Sequence, residues 1–190
     1  MWGQLLIDSL IRPRAAGRRI LGLQLSGQSL VEAAVLVSCV GTLVIHFAAE
    51  KVPELQGEFA GLTGSPLLAT FLNVVQLGLM ALAATWVGRR FGGTGELPGA
   101  LALVIWYNFV AMLLVALLFG AYLIAPVIAL PLGIAFIGWL VWAPVCFIAE
   151  LHGFANPLVV LAGLVLTMLV LFFAVNFVAM LLIAAFGGIG

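Results

Sequence analysis

Five apolar stretches, each of about twenty residues or more, decide most of what this chain can become. They run roughly Ser29–Ala49, Pro66–Gly88, Pro98–Ile124, Val127–Glu150 and Pro157–Phe186. A helix rises ~1.5 Å per residue, so ~20 such residues cover the ~30 Å hydrocarbon layer of a bilayer. Composition closes the soluble alternative. Hydrophobic residues make up 65% of the 190 and charged residues 7%, with a mean hydropathy of +1.33, against ~45–50% and ~25% in ordinary domains. The expectation is an all-α integral membrane protein: five transmembrane helices preceded by an amphipathic interfacial helix.

Local chemistry marks several boundaries. Pro66, Pro98 and Pro157 stand at or beside the starts of three spans, where a first helical turn has no N–H to lose. Ser29-Leu30-Val31-Glu32 reads as a capping box. The joint between the third and fourth spans, "GAYLIAPVIALPLG", carries no charge. One continuous helix there would far exceed what a bilayer accommodates, so a tight hairpin near Pro126 is expected.

Arginine and lysine set the expected orientation. One side of a five-span layout collects Arg12, Arg14, Arg18, Arg19, Arg89 and Arg90, and the other holds only Lys51. The positive-inside rule puts the N-terminus in the cytoplasm and, after five crossings, the C-terminus outside. Residues 1–28 form a cytoplasmic amphipathic, basic segment, and residues 29–190 the membrane domain. In the former, Trp2, Leu5, Leu6, Leu10 and Ile11 recur at helical spacing ahead of Arg12, Arg14, Arg18 and Arg19. Such a helix is expected in the headgroup plane, its arginines drawn to anionic lipid by about 1 kcal/mol each.

Catalytic patterns are missing from the sequence. Gly92-Gly93-Thr94-Gly95 lacks the Gly-Lys-Ser/Thr of a phosphate loop and reads as a turn. Leu36-Val37-Ser38-Cys39 imitates a lipoprotein cleavage box, but Glu32 interrupts the short apolar run before it. Cys39 belongs near the bilayer middle and Cys146 near one face, depths too different for a disulfide. No cofactor, metal or nucleic-acid partner is expected, and the chain is not expected to be an enzyme.

The acids Glu32, Glu96 and Glu150 fall at one membrane boundary and Glu50, Glu54 and Glu58 on the other side. That leaves the hydrocarbon without a carboxylate to carry ions. Its polar content is Ser38, Thr42, His46, Asn73, Gln76, Thr85, Tyr107, Asn108, Thr167 and Asn176. Side chains of this kind bond helix to helix for ~0.6–2 kcal/mol each. Asn73 and Gln76, one turn apart, are candidates for a partner-facing patch that His46 joins. The segment "NFVAMLL" occurs at Asn108 and again at Asn176, at different distances from the starts of their spans, and reads as coincidence in a low-complexity sequence.

The stretch "FIAELHGF", Phe147–Phe154, places Glu150 and His152 where the fourth span ends. Arg89 and Arg90 lie at the same level, as does Glu32. The simplest reading is a helix-end clasp in which Glu150 pairs with Arg89 or Arg90. His152 would cap the helix and favour its negative end, contributing less than the ion pair.

"LIRPRAAGRRIL", "GRRFGGTGELPGALALVIW" and "FIAELHGF" together resemble the bacterial branch of the Yip family, small membrane proteins named for binding Ypt/Rab GTPases. The resemblance covers nearly the whole chain through short, hydrophobic motifs, and it implies a five-helix domain with a cytoplasmic N-terminus. Eukaryotic relatives are implicated in vesicle traffic and membrane shaping. The chain shows neither their long cytosolic N-terminal region nor their Asp-Leu-Tyr-Gly-Pro stretch, and no GTPase-binding surface is expected. The reading is a non-enzymatic scaffold or membrane-organising protein acting through a membrane-protein partner or as a homo-oligomer. Two alternatives stand beside it. A small transporter or channel would need a wet path lined by Asn73, Gln76, Asn108 and Thr167, and a lipid-modifying enzyme would need polar groups gathered around Glu150 and His152.

Overall fold

A computed structural model of the chain describes residues 2–51, 65–166, 169 and 173. Among the described residues the regular structure is all helix. The helices are α1 (Trp2–Ile11), α2 (Pro13–Leu21), α3 (Gly27–Lys51), α4 (Pro66–Arg90), α5 (Leu97–Ile124) and α6 (Pro126–His152), followed by α7 (Pro157–Leu166). Four of them, α3 to α6, are long and apolar enough to cross a membrane, and α7 is a shorter apolar helix. The expected all-α, multi-pass membrane architecture is therefore what the chain adopts. The expected fifth span begins in α7; Thr167, Asn176 and its remainder, apart from Leu169 and Phe173, lie outside the described residues. So do Glu54 and Glu58 in the segment after α3.

The helix ends follow from short-range chemistry, with one correction. Helix α3 starts two residues before the expected capping box. Ser26 Oγ accepts the Ser29 N–H at 3.2 Å, so Ser26 is the N-cap and Ser29 already occupies the third helical position. Glu32, instead of reaching back, accepts from Gln28 at 2.8 Å. Ser65 caps α4 through the Leu68 N–H, with Pro66 opening the helix. Helices α5 and α6 meet at Ala125, and Pro126 opens α6. Pro131 and Pro144 sit inside α6 without ending it. Helix α4 ends with Gly92 at φ +82° and a Gly93 N–H to Gly88 carbonyl bond of 2.9 Å. Helix α6 ends likewise, with Gly153 at φ +70° and Phe154 N–H bonding Ala149 at 2.8 Å. Both are Schellman turns, in which a glycine takes the left-handed conformation closed to other residues at low cost.

Helix α5 stands at the centre, packing against α3, α4, α6 and α2. Hydrocarbon offers no hydrophobic drive between helices, so close contact depends on small residues. Ala81, Ala100 and Ala143 accordingly sit fully buried at the crossings, with Leu77, Leu103 and Val110 between them. Tyr107 of α5 stacks on Trp139 of α6 at 5.3 Å and donates to the Leu140 carbonyl at 3.1 Å. Helix α7 packs on α6 through Val145, Ala149 and Val160. Large apolar side chains such as Phe47, Phe71, Leu117 and Ile137 remain exposed around the bundle, as a lipid-facing surface requires.

The N-terminal segment departs from the single in-plane helix expected of it. Pro13 opens α2 and leaves Arg12 outside helical geometry, at φ −135° and ψ 62°, because proline disfavours the helical conformation of the residue before it. The two short helices pack on each other and on α6, burying Leu5, Ala16 and Ile20. Ser9 is fully buried. Its Oγ accepts from Trp106 Nε1 at 2.8 Å and its carbonyl from Trp139 Nε1 at 2.9 Å. Trp106 lies about 14 Å along α5 from its first residue, at ~1.5 Å per residue. Helix α1 is thus seated against the flanks of α5 and α6, well inside the end of the bundle.

Candidate functional site

Arg14, Arg18, Arg89, Glu150 and His152 gather at one end, where α2, the α4–α5 turn and the end of α6 meet. Helix α2 approaches α6 closely because Gly17 faces Phe147; a Cβ there would stand 3.1 Å from the phenyl ring. That approach carries Arg14 and Arg18 over Glu150. Arg18 Nε donates to Glu150 Oε1 at 2.8 Å, and Arg14 Nε lies 3.5 Å from Oε2. The bond to the carboxylate holds the Arg18 guanidinium above its ordinary pKa. Arg14 also donates to the carbonyls of Phe154 and Ala155 at 2.9 and 3.0 Å, the acceptors left free beyond the end of α6. Arg19 turns the other way and pairs with Asp8 of α1.

The expected clasp is therefore real in its carboxylate and wrong in its cations. Arg89 donates instead to the Gly95 carbonyl at 3.0 Å, and Arg90 lies over the Trp86 ring at 5.0 Å. Both are held by their own neighbourhood, while α2 reaches Glu150 from across the sequence. Glu32 stays with Gln28, away from the cluster. Of the four arginines expected at lipid headgroups, Arg14, Arg18 and Arg19 each pair with a carboxylate of the protein, while Arg12, Arg18 and Arg19 stay exposed.

His152 is not a surface cap. It is 3% exposed, its Nδ1 accepts the Gly95 N–H at 3.0 Å, and its Nε2 pairs with the Ala84 carbonyl at 3.1 Å. One nitrogen accepts and the other must donate, which defines a neutral imidazole with its proton on Nε2. Glycines 88, 93 and 95 wall the ring. A Cβ on Gly95 would stand 2.6 Å from it, and Gly88 and Gly93 are tighter still. Phe154 covers another side at 5.6 Å between ring centres. The stretch "GRRFGGTG" held the hint: three glycines around a turn mark a place where something approaches the backbone. Nothing in the sequence named the histidine as what approaches.

A second polar assembly lies midway along the bundle. Asn73 Nδ2 donates to Thr42 Oγ1 at 3.2 Å, with Thr70 on the same oxygen at 3.3 Å, joining α3 to α4. Asn108 bonds back to the Val104 carbonyl of its own helix at 2.9 Å. Ser38, Asn73, Gln76 and Asn108 line a cavity of about 170 Å³ between α3, α4 and α5. Asn73 and Gln76 do share a region, as their spacing implied; His46 is not among the residues lining it. Among the described residues no three histidine, cysteine or acidic side chains converge as metal ligands.

No curated protein and no solved structure matches this chain. The family model of the Yip1 domain matches residues 7–189. That match runs from the second half of α1 through all the later described helices, so α2, the clasp at Glu150 and the spanning helices all fall within it. The chain belongs to the Yip1 domain family.

Proposed function

We propose that this protein is a non-enzymatic scaffold or organising factor of a bacterial inner membrane, working through helix contacts with a membrane-protein partner or a second copy of itself. The observation that carries this reading is the use made of the titratable groups at the basic end. Both ring nitrogens of His152 are bonded to backbone, and both oxygens of Glu150 face arginines. A general base needs a free lone pair within reach of a substrate. Here those lone pairs hold the N-terminal hairpin and the α4–α5 turn to the bundle. The same arrangement weighs against a lipid-modifying enzyme at this end.

In this reading the basic end faces the cytoplasm, following the positive-inside rule, and the C-terminus lies in the periplasm. Arg12, which makes no side-chain ion pair among the described residues, and the outer sides of Arg18 and Arg19 meet anionic headgroups. The test is affinity purification of the tagged protein in mild detergent, with mass spectrometry and light scattering. A stoichiometric membrane-protein partner or a discrete homo-oligomer is expected. Recovery of a lone monomer under every mild condition would overturn the proposal.

A further inference from the structure

We infer that the cavity between α3, α4 and α5 is a hydrated site for a small neutral solute, of about glycerol size, whose groups both donate and accept hydrogen bonds. This goes beyond the scaffold reading, which needs no such pocket. The cavity lies in the middle of the bundle: Ser38, Gln76 and Asn108 stand about 16–21 Å from the nearer basic-end termini of their helices at ~1.5 Å per residue. Its volume of about 170 Å³ exceeds the ~150 Å³ that accepts a benzene-sized molecule in an engineered protein cavity. The cavity is partly open at the bundle surface, and four of its twelve lining residues, Ser38, Asn73, Gln76 and Asn108, are polar, enough partners to hold water.

Helix-to-helix bonding explains only part of the lining. It accounts for Asn73, bonded to Thr42, and for Asn108, bonded to its own helix. It does not account for Ser38, whose hydroxyl is buried and has no partner among the described residues. In this same protein Ser9 and Thr85 satisfy buried hydroxyls on the carbonyl four residues back, at 2.7 and 2.8 Å, and Ser38 does not take that route. Gln76 lines the cavity with no hydrogen bond to its carboxamide among the described residues. Ser38 is buried and Gln76 is exposed at the bundle surface; a polar group left alone at this depth, against protein or lipid, is costly, so these groups call for a ligand.

The free groups define its chemistry. Asn73 and Asn108 each spend one amide hydrogen, leaving each an acceptor oxygen and a second N–H donor, and Gln76 offers both an acceptor and donors. Among the described residues no charged one lines the cavity, so none of them offsets the desolvation of an ion. A neutral molecule carrying several hydroxyl or amino groups fits; an anion or a metal ion does not.

The test places a reporter thiol in the cavity wall without touching its polar groups. Cys39 and Cys146 are first replaced by alanine, and Met112→Cys is introduced on the cavity side, with Val75→Cys as a lipid-facing control at a comparable distance from its helix end. Protein in lipid nanodiscs is treated with methyl methanethiosulfonate, a small neutral reagent that needs a thiolate, and so water, to react. We expect the cavity thiol to react about tenfold faster or more, because ionisation requires hydration. Glycerol should slow it saturably and leave the control unchanged. Equal rates at the two positions would mean a dry interface and overturn the inference; fast reaction with no glycerol protection would mean water alone and overturn the solute site. Should Met112→Cys fail to fold, Val44→Cys, which lines the same cavity from α3, gives the same readout.

Discussion

His152 spends both ring nitrogens on backbone groups of α4 and the α4–α5 turn, and that makes a residue with an ordinary neighbourhood in sequence into the pin of the basic end. His152→Ala leaves the buried Gly95 N–H without its acceptor, a loss of about 1–3 kcal/mol. Glu150→Gln should cost less, because Arg18 is largely exposed and can turn to water or lipid phosphate. Thermal unfolding of the two variants in the same detergent checks the ranking, which is the reverse of the one a surface cap at His152 would give. Gly88→Ala makes the steric half of the argument testable. On an open helix alanine is favoured over glycine by about 1 kcal/mol. Here the added methyl enters the imidazole, and overpacking of this kind costs about 1–3 kcal/mol, so the variant should unfold at lower temperature. In the His152→Ala background the same substitution should cost little or nothing, and a full additive loss there would contradict the cage.

Among the elements, the α1–α2 hairpin is the one whose placement could not be foreseen. It is an amphipathic segment by composition, and an amphipathic basic helix by itself belongs at a membrane surface. Two features fold it onto the bundle. Pro13 breaks it into two lengths, and Gly17 lets the second length rest on Phe147 of α6. Seating then satisfies the indole N–H groups of Trp106 and Trp139 through Ser9, and buried indoles need such partners. Gly17→Leu should lift α2 from α6 and part Arg18 from Glu150. Cleavage by trypsin after Arg14 and Arg18, followed by mass spectrometry, should rise several-fold relative to the parent. Unchanged protection would show that the hairpin does not depend on this contact.

For the whole molecule, the asymmetry of charge is the feature with a direct readout. Arginines at the N-terminal segment and at the end of α4 share one end of the bundle, as the contacts of α2 and the α4–α5 turn with the end of α6 demonstrate. A reporter active only in the cytoplasm should therefore work when fused at Gly93 and fail when fused at Gly190. The opposite pattern would invert the proposed orientation, and activity at both would break the odd number of crossings.

The spans, the helical class and the hairpin at Pro126 were legible from sequence because hydropathy and proline act locally. A stretch of apolar residues must cross or aggregate wherever the rest of the chain goes, and a proline alters only its own turn. The boundary position of Glu150 was legible for the same reason. Its partners were not, because Arg18 is 132 residues away, and which arginine arrives depends on how helices pack. Packing itself is poorly written in a membrane sequence: lipid-facing and buried sides are both apolar, so periodicity does not mark the inner face as it does in water. Only the tertiary structure could decide that Ser9 meets two tryptophans, that three glycines close around His152, and that Ser38 and Gln76 look into shared space with Asn108. The contacts of Ser9 and His152 join separate helices, and their free energy comes from satisfying polar groups away from bulk water.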